Sequence, residues 1–81
     1  MNLLEIHSLL EEIFRCPLAE PSSVEDIFIS ISQPYDHERW KLFIKKSLIG
    51  DTLNCIKSIV EENELKINDT LKQGYYVIYS K

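Results

Sequence analysis

The chain closes on "GYYVIYSK", and no other stretch restricts its fold as much. Tyr75-Tyr76-Val77-Ile78-Tyr79 is a run of strand-forming residues. In an extended backbone, positions 75, 77 and 79 point to one side and 76 and 78 to the other, so both sides are apolar. A strand at 74–80 built this way belongs inside a sheet, or at an edge with one side under a helix. The competing reading is a Tyr-rich contact surface for a partner.

The remaining 73 residues must supply that cover. With 81 residues and 44% apolar side chains, the chain amounts to one domain, 1–81, with one core. Leu3, Ile6, Leu10 and Ile13 mark the stripe of a helix over 2–15, widened by Leu9 and Phe14. Asn2 with Glu5 makes a capping box, and Cys16-Pro17 ends the helix. Ile27, Ile29 and Ile31 alternate with Phe28, Ser30 and Ser32, which predicts a strand over 26–32. Ser22 and Glu25 form a second capping box, so one helical turn could precede it.

"PYDHERWKLFIKKSLIG" reads as a helix over 35–48, with Asp36 as cap and Trp40, Phe43, Ile44 and Leu48 on one face. Gly50 supplies its stop. Asp51 then caps a helix over 52–63, buried through Leu53, Ile56, Ile59 and Val60. Leu65 and Ile67 open a hairpin that turns through "NDTLKQG" into the final strand. The expected order is helix, strand, helix, helix, strand, strand: an α+β domain with a three-stranded antiparallel sheet and its helices on one face.

That order is also the order of a winged helix, in which the third helix enters the major groove and the hairpin flanks it. Two features weigh against it. Four residues before Gly50 stands Lys46, where a close helix crossing needs a small side chain. The third helix and its end also carry Glu61, Glu62 and Glu64, and residues 51–64 have a net charge of −3. Phosphates would repel that segment.

The overall charge of −4 is unevenly spread, with −5 over residues 1–26 and +2 over 36–48. An acidic chain favours a basic protein partner over a polynucleotide. The expected function is therefore a small non-enzymatic protein that binds and modulates another macromolecule. An inhibitor, an immunity or antitoxin factor, or a phage-type modulator would fit. Its binding residues would be Glu11, Glu12, Glu61, Glu62 and Glu64, with Tyr76 or Tyr79 as an aromatic anchor. The first alternative is a winged-helix DNA-binding regulator using Arg39, Lys41, Lys45, Lys46, Lys66 and Lys72. The second is a homodimer whose final strand pairs with its symmetry mate.

Nothing in the chain points to catalysis, a cofactor or a metal. The carboxylate pairs Glu11-Glu12, Glu25-Asp26 and Glu61-Glu62 are sequence neighbours, which on a helix diverge by about 100°. They do not aim at one reacting atom. His7 and His37 stand alone, with no Cys or Asp at metal-ligand spacing. Cys16 and Cys55 read as small buried hydrophobes, because a secreted domain of this size would carry several disulfides. Their scarcity, the lack of a signal peptide in "MNLLEIHSLLEEIF" and the absence of an apolar run near ~20 residues predict a complete, cytoplasmic chain away from membranes.

Overall fold

The computed structural model describes residues 3–31 and 40–80. Helix α1 (Leu3–Ile13) leads to strand β1 (Ile27–Ile31) and strand β2 (Trp40–Lys45). A single turn, α2 (Lys46–Ile49), and a 3-10 turn over Gly50–Thr52 precede helix α3 (Leu53–Glu62). Strands β3 (Leu65–Asn68) and β4 (Tyr75–Ser80) complete the chain. The domain is α+β, with a sheet of four strands, not three, in the order β1-β2-β4-β3. All its pairings are antiparallel.

The extra strand lies where the second helix was expected. "WKLFIKK" satisfies both periods: Trp40, Phe43 and Ile44 at helical spacing, but also Trp40, Leu42 and Ile44 at alternate positions. Pairing decides between them. As a strand the segment hydrogen-bonds β1 on one side and β4 on the other, and it buries Trp40, Leu42 and Ile44 to 0–1% exposure. A helix would place Leu42 away from the Trp40 stripe and leave β1 without a neighbour. With β2 extended, the helix pair of a winged helix is not formed. The part of the expected helix over 35–39, with its Asp36 cap, lies outside the described residues.

The final strand is central, flanked by β2 and β3. Its two apolar sides are therefore satisfied from within. Ile78 and Tyr76 pack into the core beneath the helices, and Val77 is buried on the opposite side. Because both edges of β4 are already paired, the expected dimer through this strand has no open ladder to use; the sheet's edges are β1 and β3.

The two long helices cover one face. Ile6, Leu9 and Ile13 of α1 and Ile56 and Val60 of α3 meet Trp40, Leu42, Ile44, Ile78 and Leu65 from the sheet. Cys16 and Cys55 are joined by a disulfide that ties the end of α1 to α3. The reading of both as separate buried thiols is thus corrected: Cys16 is buried, but Cys55 is exposed. Asn63 adds a second tie, donating from Nδ2 to the Glu12 carboxylate at 3.0 Å. Asp51 does not cap α3; it lies within the 3-10 turn, which Thr52 Oγ1 closes by donating to Ile49 O at 2.6 Å.

Among the described residues no helix is long and apolar enough to cross a membrane. The bridge also removes the support that two free thiols lent to a cytoplasmic setting.

Candidate functional site

A four-stranded sheet with its helices on one side has a second side, and register determines which residues occupy it. The partners Ser30↔Lys41↔Tyr79↔Lys66 form one tier across all four strands. The next tier along is Phe28↔Phe43↔Val77↔Asn68. A third holds Lys45↔Tyr75. These are the alternate positions to the buried Trp40, Leu42, Ile44 and Ile78, so they face away from the helices. This face carries Lys41, Lys45 and Lys66, and the β3–β4 loop brings Lys72 onto it.

The middle and third tiers are closed on themselves. Phe28 and Phe43 stack at 4.7 Å with an 8° interplanar angle. Tyr75 meets them edge-on at 5.6 Å and 6.2 Å. Lys72 Nζ lies 5.1–5.9 Å from all three ring centroids, within cation–π range. The Tyr75 hydroxyl donates to Glu25 O at 2.7 Å, holding the ring against the start of β1. The loop that delivers Lys72 is shaped by Asn68, whose Oδ1 accepts from Thr70 N at 2.6 Å and Leu71 N at 3.1 Å.

Asp26 secures the same end of the sheet. It is buried, with Oδ2 accepting from Ser22 N at 2.8 Å and Ser23 N at 3.1 Å. Its Oδ1 faces Lys45 Nζ at 3.5 Å. The backbone hydrogen bond from Ser22 leads in holding the Asp26 carboxyl below its ordinary value; burial opposes this, and the Ser22 hydroxyl and Lys45 reinforce it. Asp26 therefore remains charged and neutralises Lys45, while Lys41 and Lys66 stand exposed beside Tyr79.

The glutamates singled out from the sequence belong to the two helices and the end of α3. Glu11 and Glu12 belong to α1, Glu61 and Glu62 to α3, and Glu64 follows α3 at φ 57°. Glu12 and Glu62 line one open hollow with Arg15, Ile59 and the disulfide. Glu61 lies along a different hollow, at the β3 edge, with Lys57, Lys66 and Tyr79. His7 Nε2 and Glu11 approach to 3.1 Å across one helical turn. The acidic residues singled out from the sequence are thus largely gathered on the helix layer. Their expected aromatic anchors are split: Tyr76 faces the core, with Lys46 Nζ 5.4 Å from its ring, and Tyr79 faces outward.

Of the six basic residues singled out, Lys41, Lys45, Lys66 and Lys72 share the outer sheet side. Lys46 leaves it to stack on Tyr76 and donate to Asp69 O at 3.3 Å. Arg39 lies outside the described residues. Sequence reasoning did not foresee Phe28, Phe43 and Tyr75 as part of this surface. The signal that could have found them is the alternation of Lys41, Phe43 and Lys45, which becomes visible only when the segment is read as a strand. Among the described residues no group of three His, Cys, Asp or Glu side chains could hold a metal ion.

No family model, curated protein or solved structure matches this chain.

Proposed function

We propose that this is a non-enzymatic binding protein whose working surface is the outer side of the sheet and whose partner there is an anionic macromolecule. One observation carries this reading: charge is divided between the two layers. Lys41, Lys45, Lys66 and Lys72 lie with aromatic rings on the sheet side, and Glu11, Glu12 and Glu62 lie on the helix side, with Glu61 at the border by β3. An excess of acid over the whole chain would disfavour a polyanion, but only if the charges were mixed. At physiological salt the field of an exposed charge fades within about 8 Å, so a partner senses the face it meets.

A second reading rests on Asn63, which binds Glu12 to the end of α3 and so joins the glutamates of the two helices into one acidic surface. That surface suits a basic protein, with inhibition by occlusion as its mode.

Paired charge reversals distinguish the two. On an immobilised sulfated polysaccharide at low salt, the wild type is expected to be retained and Lys41→Glu/Lys66→Glu to flow through. Glu61→Lys/Glu62→Lys should be retained at least as well as wild type. If the lysine reversals leave retention unchanged, the sheet-face reading is wrong. If the glutamate reversals instead abolish capture of a basic probe such as polylysine, the acidic surface is the working one.

A further inference from the structure

Resting on the sheet-face reading, we infer that the tier Lys41–Tyr79–Lys66 is a binding position for single-stranded nucleic acid, with Tyr79 stacking on one base and the two lysines taking the flanking phosphates. Among the described residues, Tyr79 is the aromatic residue on this face outside the closed cluster of Phe28, Phe43 and Tyr75. It stands directly between the two lysines, paired with Lys41 on β2 and Lys66 on β3. Neighbouring strands are about 4.8 Å apart, which sets the lysine backbones roughly 10 Å from one another. Long side chains on that spacing reach both phosphates beside a single stacked nucleotide.

The chemistry selects this occupant from among anions. A carboxylate-rich peptide or a polysaccharide would use the lysines alone. A duplex presents phosphates but keeps its bases stacked and paired, so Tyr79 would gain no partner. An unpaired strand uses all three residues, because every base offers a π-face and the backbone offers regular charge. Exposed Ser30 extends the tier beyond Lys41 with a hydroxyl that can donate to phosphate. At the other end, Glu61 and Lys57 of α3 border the hollow shared by Lys66 and Tyr79. Glu61 limits how far an anionic strand can pass over the β3 edge.

The test is fluorescence anisotropy of a labelled 12-nucleotide oligothymidylate titrated with the full chain, over a series of salt concentrations. Wild type is expected to bind with a salt dependence that Lys41→Gln/Lys66→Gln makes shallower by about 1.4, two phosphates at ~0.7 each. Tyr79→Leu should weaken binding about 5- to 150-fold, and Tyr79→Phe, which keeps the ring, should restore it. Melting curves of each variant separate lost binding from lost folding, and Tyr79→Phe keeps the test valid if Tyr79→Leu does not fold. Equal or tighter binding of a blunt duplex, or an unchanged affinity in folded Tyr79→Leu, would overturn the inference. Binding of polyglutamate or the sulfated polysaccharide without the oligonucleotide would overturn it while leaving the sheet-face reading intact. No binding to any of these anions would end both.

Discussion

Breaking the Cys16–Cys55 bridge is the most informative single perturbation of this fold. The bridge spans 39 positions of sequence. In the chain-entropy account, opening a loop of that length returns about 13 cal/mol/K to the unfolded ensemble, or about 4 kcal/mol at 25 °C. A domain of this size holds only about 4–12 kcal/mol in total. One covalent link therefore accounts for a third or more of what keeps the chain folded. The appropriate variant is Cys16→Ala/Cys55→Ala, which leaves no stray thiol. Urea unfolding is followed through the fluorescence of Trp40, which is 1% exposed and so reports on the core. With a urea slope of about 1–2 kcal/mol/M, the midpoint should fall by about 2–4 M, and excess dithiothreitol should reproduce the shift in wild type. Coincident midpoints for the oxidised protein and the variant would refute the reasoning, and with it the idea that the helix layer needs this tie.

Other expectations concern the sheet's lower end and the turns. Asp26 has a folded pKa below its ordinary 3.8, so its stabilising effect is fully present above that value and is lost as pH falls through the lowered one. Asp26→Asn should therefore melt below wild type at neutral pH, and the gap should close on acidification below 3.8; a gap independent of pH would exclude the charge as its cause. Gly50, at φ 49° and ψ −122°, has open space around it but a backbone that side chains resist. Gly50→Ala should cost about 1–3 kcal/mol in thermal melts. Glu64 sits left-handed at φ 57° after α3, so Glu64→Gly should gain about 0.5–1 kcal/mol.

Local pattern was enough for much of this protein. The stripe of Ile6, Leu9 and Ile13 yields α1, that of Ile56 and Val60 yields α3, and the alternation around Ile27 and Ile29 yields β1. Each has one period that satisfies burial, so each reads correctly without its neighbours. Residues 40–48 do not, since helix and strand bury comparable apolar sets there. The choice was made by hydrogen bonds to β1 and β4, whose partners lie far away in sequence. The disulfide is non-local in the same sense: nothing near Cys16 or Cys55 announces that two helices will bring them together.

The same ambiguity concealed the candidate site. Read as a helix, residues 40–48 scatter Lys41 and Lys45 around an apolar stripe, and net charge becomes the only electrostatic guide. Composition and periodicity alone determined that the chain is one small α+β domain ending in a strand with two apolar sides. Tertiary pairing decided that this strand is central, that four strands form the sheet, and that Lys41, Lys45, Lys66 and Lys72 share the side of the sheet away from the helices. The physical reason is that a strand's faces follow from its own sequence, whereas which face meets water depends on the neighbours that pair with it and cover it.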